Sequence, residues 1–211
     1  MVFKRTDYII SGTDTGVGKT VAAAMLAGAL SADYWKPVQA GLDGGGDTET
    51  ARLLSGLPPD HFHPERYRLT RPLSPHQAAW DDGITIEVEA LRTLPESDRI
   101  LLIEGAGGLL VPLTRRLLMI DLFKLWEAPV ILCARTGLGT INHSLLSAEA
   151  LRARNIALHG IIFVGGDMPE TIRTIADFSG AKILGRLPLL PELTPQSLQQ
   201  SFAAHFNRDD F

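Results

Sequence analysis

Short apolar runs alternate along the chain with longer stretches in which apolar residues recur at helical spacing. YIISG (8–12), YWKPV (34–38), ILLIEG (100–105), PVILCA (129–134), GIIFVG (160–165) and KILGRLP (182–188) read as strands. They are apolar nearly throughout rather than at alternate positions, as expected of strands covered on both faces of a sheet. Between them, GKTVAAAMLAGALSA (18–32), DTETARLLSG (47–56), TINHSLLSAEALRARN (140–155) and PETIRTIADFSG (169–180) read as helices. The last of these opens at Pro169 and closes at Gly180, the usual asymmetry of helix starts and stops. Strand then helix, repeated, predicts an α/β fold: a mostly parallel sheet with helical crossovers on both faces. No linker, repeat or low-complexity segment divides the 211 residues, so one domain spanning residues 1–211 is expected. AGLDGGGDTE (40–49) and HFHPERYRLTRPLSPHQ (61–77) are expected to be long loops. Loops at the carboxyl ends of parallel strands are where such sheets bind ligands.

Composition narrows the class without fixing a function. Hydrophobic residues make up 45% and charged residues 21%, ordinary values for a globule. No apolar run approaches the roughly 20 residues that cross a bilayer. The N-terminal MVFKRTDYIISG carries basic residues, but its apolar stretch of about four residues is too short for a signal peptide. A soluble cytoplasmic protein with no membrane role is expected. The net charge of −4 argues against a nucleic-acid partner, which usually meets a basic face. The single cysteine, Cys133, lies inside a strand and reads as a core residue rather than a reactive thiol.

The chemistry concentrates at the end of the first strand. SGTDTGVGKT (11–20) ends as a phosphate loop does, with Gly18, Lys19 and Thr20. The first glycine of that signature belongs at position 13, where the chain has Thr13, and Gly12 sits one place early. The segment still follows a strand and opens a helix, so successive backbone N–H groups and the helix N-terminus form an anion cradle. Lys19 is placed to reach the β- and γ-phosphates and the Thr20 hydroxyl to bind Mg²⁺. Glu104, at the tip of ILLIEG, reads alone as a surface acid opening a turn; beside a phosphate loop it reads as the strand-end Mg²⁺ ligand. Asp47 and Glu49 compete for a further metal role, and Asp47 equally suits a helix N-cap. Lys36, at a strand end before Pro37, reads either as a snorkelling edge lysine or as a cation beside the γ-phosphate. His61 and His63 form a histidine pair with no third ligand evident and read as part of a solvated loop, while His143 falls in the first turn of a helix.

Taken together, GTDTGVGKT, KPVQAG, GDTETA, PLSPHQAA, EGAGGLLVPL, LGTINHSLL and GRLP occur in the order found in dethiobiotin synthetases of the biotin pathway, which the chain resembles from residue 11 to about 190. The resemblance implies a P-loop nucleoside triphosphate hydrolase-like fold. It also implies a carbon–nitrogen ligase that uses ATP and Mg²⁺ to convert 7,8-diaminopelargonic acid and CO₂ into a cyclic urea, through a carbamate and a carbamic-phosphoric anhydride. Carried over by position, it assigns Gly16, Val17, Gly18, Lys19, Thr20 and Val21 to the triphosphate. It assigns Thr15 and Lys36 to the carbamate, and Thr20, Asp47 and Glu104 to Mg²⁺. Gly105, Ala106 and Gly107 lie beside the nucleotide and the substrate amines, and Leu187, Pro188 and Leu189 flank the base. The family is homodimeric, and the helix start Thr140, Ile141, Asn142 receives the substrate carboxylate across the subunit interface.

The chain departs from the family pattern at three places. Ala40 stands where many relatives carry Ser or Thr, and Gly16 where many carry an acid. Val164 or Gly165 stands where many have an Asn that reads adenine, which implies relaxed base selectivity. Two other classes compete with the ligase. An amidotransferase-type synthetase would need a nucleophilic cysteine, for which Cys133 is a poor candidate. A partitioning-type ATPase would carry a lysine early in the loop, where this chain has Asp14.

Overall fold

The strands form where apolar side chains are dense enough to cover two faces at once. In the computed structural model, residues 6–42 and 44–211 are described; Lys4 and Arg5 of the opening segment and Asp43 of the glycine-rich loop lie outside the described residues. Nine strands are present among them: β1 (Tyr8–Gly12), β2 (Asp33–Trp35), β3 (Val38–Ala40), β4 (Phe62–His63), β5 (Tyr67–Leu69), β6 (Leu101–Gly108), β7 (Val130–Arg135), β8 (Leu158–Val164) and β9 (Ile183–Leu187). Seven make one sheet, in the order β4-β2-β6-β1-β7-β8-β9, and every pairing in it is parallel. The helices are α1 (Lys19–Leu30), α2 (Asp47–Ser55), α3 (Pro75–Asp81), α4 (Val88–Arg92), α5 (Met119–Trp126), α6 (Thr140–Arg152), α7 (Pro169–Ser179) and α8 (Pro195–His205). No helix among the described residues is long and apolar enough to cross a membrane.

Successive residues of each central strand feed opposite faces. Ile10, Tyr34 and Leu102 pack with the alanine-rich α1 and with Leu198 and Phe202 of α8. Ile9, Trp35, Leu101 and Ile103 pack on the other side with Phe123 and Trp126 of α5. Leu132, Ala134, Ile161 and Phe163 extend that second side toward Ile175 of α7. This explains why the strands read as continuous apolar runs. The chain leaves β1 toward β2 and β4, returns through β6, and then crosses β1 to β7. That reversal opens a crevice at the carboxyl ends of β6, β1 and β7; the phosphate loop follows β1, Arg135 ends β7, and Glu104 lies within β6, four residues before its end.

Three expectations are corrected. YWKPV is not one strand. Tyr34 and Trp35 pair in the main sheet, and the ladder breaks at Lys36–Pro37, because proline has no N–H to donate. Val38–Ala40 then pairs with β5 in a separate two-stranded sheet. The segment 61–77 is not a plain loop either: it holds β4, β5 and the start of α3. His61 and His63 are not solvated; each lies 3.2 Å from a carboxylate oxygen of Asp33, which Arg99 also pairs at 3.0 Å.

Helix α5 had no counterpart in the strand–helix reading, yet it underlies the site strand. Phe123 is fully buried, stacks on Trp126 with ring centroids 5.8 Å apart, and lies so close beneath Gly105 that a β-carbon there would sit 2.8 Å from its ring. Phe123→Ala is expected to cost about 3–5 kcal/mol, the range for emptying a buried aromatic site. Chemical denaturation measures it, and a loss under about 1 kcal/mol would show that this face of the sheet is not held as described.

Candidate active site

The phosphate loop closes on itself through Lys19. Its side chain runs back across the loop and Nζ donates to the Asp14 carbonyl at 3.0 Å. A β-carbon on Gly12 would lie 2.7 Å from Val17 Cγ2 and 3.2 Å from Lys19 Cδ. The glycine at position 12 therefore makes room for the returning lysine and for Val17, a packing requirement rather than a phosphate contact. Burial pulls the Lys19 ammonium below its usual range, helped by Lys36 and opposed by Glu104.

Beyond the loop, Glu104 is wholly buried at the centre of a polar cluster. Its Oε1 accepts from Lys36 Nζ at 2.8 Å and from Thr20 Oγ1 at 2.9 Å, and its Oε2 accepts from Tyr34 Oη at 2.9 Å. Lys36 Nζ also reaches Asp47 Oδ2 at 2.6 Å and the Gly105 carbonyl at 3.3 Å. Burial disfavours the Lys36 ammonium, but Glu104 and Asp47 outweigh it and hold Lys36 above its ordinary value. Burial likewise pushes the Asp47 carboxyl up, and Lys36 overrides it, leaving Asp47 below the usual range. Tyr34 is pushed well up by burial and by Glu104, so its hydroxyl stays a donor.

Of the competing acids, Asp47 joins the cluster and Glu49 does not: Glu49 pairs with Arg52 on the surface at 2.6 Å. Asp47 is not an N-cap either. It is the first residue of α2, and its own N–H donates to Gln39 Oε1 at 2.9 Å. Thr20, Asp47 and Glu104 thus offer only oxygens beside the phosphate loop, a donor set that suits Mg²⁺. Among the described residues no cluster of three or more His, Cys, Asp or Glu forms a metal cage, in keeping with an ion held partly by a nucleotide's phosphates.

A cavity of about 680 Å³ opens over this cluster, lined by Thr15, Gly16, Gly18, Lys19, Thr20, Val21, Lys36, Asp47, Glu104, Ala106 and Gly107 among others. Ala40 and the segment Pro72–Pro75 close its far wall. Gly105 lies behind the wall and contributes its carbonyl. A second hollow of about 500 Å³ continues from the phosphate loop past Val17 to Leu187, Pro188 and Leu189. Val164 packs its methyls toward Gly18, and a β-carbon on Gly165 would lie 2.5 Å from Thr136 Oγ1, so neither position presents a hydrogen-bonding side chain. Thr140, Ile141 and Asn142 line neither space. Thr140 is buried with its Oγ1 3.5 Å from Ser144 Oγ, and only the neighbouring His143 faces a smaller hollow beside Thr13–Thr15. Cys133 is buried and its thiol pushed up to about 12 by desolvation, so it is a core residue.

The sequence reading missed Tyr34, Gln39, Ser74 and Arg135. Tyr34 was hidden in an apolar run; the signal was its position two before Lys36, on the same side of the strand as Glu104. Gln39 and Ser74 act from outside the main sheet, which strand periodicity does not locate.

The ion cluster has a definite pH signature. The raised Lys36 contributes stability that is present at neutral pH and lost only as pH rises through its elevated value. The depressed Asp47 contributes stability present above the ordinary carboxylate range and lost as pH falls through its lowered value. Lys36→Met leaves Glu104 buried without its cation and is expected to cost about 3–5 kcal/mol at pH 7. At acid pH, as the lowered Asp47 carboxylate takes a proton and the Lys36–Asp47 pair is lost from the wild type too, the deficit should shrink. Urea denaturation at both pH values checks this; a pH-independent deficit would mean the loss is one of packing.

A family profile described as an AAA domain matches residues 6–197. The ATP-dependent dethiobiotin synthetase BioD of Afipia carboxidovorans is 56% identical over 206 residues, 98% of each chain. The protein of that name from Rhodopseudomonas palustris strain HaA2 is 58% identical over 203 residues, 96% of this chain and 95% of its own. Among solved structures, the MinC:MinD cell division protein complex of Aquifex aeolicus gives a TM-score of 0.58 at 14% identity, covering 93% of this chain and 86% of that one. MinD from Pyrococcus horikoshii OT3, complexed with Mg-ADP, gives 0.57 at 16% identity, covering 93% of this chain and 86% of that one. These distant likenesses bear out the P-loop fold. At this identity over nearly the full length, the chain belongs to the ATP-dependent dethiobiotin synthetase family.

Proposed function

We propose that the protein closes a cyclic urea on 7,8-diaminopelargonic acid, consuming CO₂ and ATP and releasing dethiobiotin, ADP and phosphate. The observation that carries this reading is the placement of Lys36. A buried ammonium, fixed by two carboxylates, faces the same cavity as the phosphate loop. No free thiol lines that cavity, and its two carboxylates are committed to Lys36. Such a site suits chemistry done by positioning and charge neutralisation rather than by a protein nucleophile.

In this reading one substrate amine adds to CO₂, forming a C–N bond and releasing a proton, and Thr15 and Lys36 hold the resulting carbamate. A carbamate oxygen then attacks the γ-phosphorus and ADP leaves. The second amine attacks the carbonyl carbon of the mixed anhydride, phosphate departs, and the ring closes. Lys19 and the N–H groups of Gly16 to Val21 orient the phosphates against the carbamate. Thr20, Asp47 and Glu104 would hold Mg²⁺, which supplies charge neutralisation on the phosphates. The substrate's carboxylate tail reaches Thr140–Asn142 at the α6 start of a second copy of the chain, where a helix N-terminus suits an anion; that these residues do not line the cavity of their own chain favours this arrangement.

Incubation with the diamine, bicarbonate, ATP and Mg²⁺ should yield the cyclic urea and phosphate by mass spectrometry; folded protein that gives neither would end this reading. The hollow beside Leu187–Leu189 lacks a side chain at 164 or 165 to read adenine. Accordingly kcat/KM for ATP, CTP and GTP should fall within about a hundredfold of one another, where a dedicated base-reading hydrogen bond would separate them by about 10⁴-fold. A strong preference for ATP would place the base-reading group elsewhere in the hollow.

A further inference from the structure

Arg135 stands at the last position of β7, in the crevice between the phosphate loop and the hollow beside Leu187–Leu189. Among the described residues it is the only charged one lining that hollow. Among the described residues it meets no carboxylate; its one hydrogen bond is donated by Nη2 to the carbonyl of Gly16, on the outer side of the loop. The side chain is exposed, so this contact is not needed to bury a charge. A free guanidinium resting on a phosphate loop, with an apolar hollow on its other side, lies where a bound nucleotide has its inner phosphates.

We propose that Arg135 is a second nucleotide cation, which gives up the Gly16 carbonyl for an α- or β-phosphate oxygen when a nucleotide binds. This deepens the nucleotide reading above and rests on it. The chemistry favours the exchange. A guanidinium presents only donors, and a phosphate oxygen is a charged acceptor where the Gly16 carbonyl is a neutral one. Lys19 is committed to the inner side of the loop, at the γ-phosphate end beside Glu104 and Lys36. Arg135 approaches from the opposite side. The two cations would hold the triphosphate from both sides. With no base-reading side chain at 164 or 165, affinity then rests more on phosphate charge, which is a physical reason for loose selection of the base.

The test compares Arg135→Ala and Arg135→Lys with the wild type by calorimetric binding of ATP, ADP and adenosine. Arg135→Ala should weaken ATP and ADP by about tenfold or more, the range for losing a charge-assisted hydrogen bond, and leave adenosine within about twofold. Arg135→Lys should recover part of the loss, since it keeps the charge but not the fork. The exposed position predicts an unchanged thermal midpoint for both variants, so a binding loss is not one of folding. Unchanged ATP and ADP affinity in Arg135→Ala would overturn the proposal. An equal loss of adenosine would overturn it too, by placing the contact on the ribose or base. Wild-type protein that binds no ATP at all would instead remove the nucleotide reading on which it rests.

Discussion

A buried carboxylate has to be answered, and in this chain the answer organises the site. Glu104 has no exposed surface, and isolating such a charge from water costs several kcal/mol unless cations and donors replace the solvent. Lys36 supplies the cation, and Tyr34 and Thr20 supply hydroxyls. Tyr34 lies in β2, Lys36 just past its end and Thr20 in α1, so the requirement of one side chain ties β6 to β2 and to the first turn of α1. Lys36 is itself wholly buried and needs a second partner, which brings Asp47 and the start of α2 to the cavity. The break at Pro37 belongs to the same arrangement: the chain must leave the sheet just past Lys36 for Gln39 to meet the amide of Asp47.

The parts of this arrangement that obey a period were legible. Five of the six expected strands and the four long helices are repeated statements of apolar pattern, and they appear within a few residues of where the pattern puts them; the sixth, YWKPV, is split at Pro37. Lys36 falls just past the end of β2, as the pattern suggests, whereas Glu104 is not at a strand tip but buried in the middle of β6, four residues before its end. What was not legible depends on partners far away in sequence. Whether Asp47 or Glu49 meets the cluster is decided by Gln39 and Lys36, eight and eleven residues earlier and in different sheets. Helix α5, in the stretch MIDLFKLW, is short and follows no turn signal that separates it from a buried strand, so its role beneath Gly105 shows only in three dimensions. The segment 61–77 is polar and rich in proline, which disguises two very short strands as loop.

The fold alone would have pointed in several directions. Its structural likenesses at 14–16% identity include cell division proteins, and a shared phosphate loop on a parallel sheet does not choose among functions. What separates this chain is the content of the strand ends. The front of the loop, GTDT, carries Asp14 and Thr15, and Thr15 faces the cavity that Lys36 enters from the other side. The glycine at position 12, which made the motif look displaced, is fixed by the packing of Val17 and Lys19 instead. The irregularity at Gly12 is therefore a matter of packing, and Thr15 is the part of it that lines the cavity.

The two ends of the crevice are built on opposite principles. Around Lys36 the polar side chains pair with one another: Glu104 accepts from Lys36, Tyr34 and Thr20, and Asp47 pairs with Lys36. Such a network is rigid, and rigidity there serves the reaction, because charge developing on a transferred phosphoryl group is stabilised best by dipoles and cations that do not have to move. At the base end the walls are apolar and open, with Leu189 and Leu193 largely exposed and Gly165 held bare of a side chain by the approach of Thr136. A wall of this kind grips a flat ring by contact area and discriminates weakly. The chain thus concentrates its hydrogen-bonded geometry around Lys36 and walls the second hollow mostly with apolar groups.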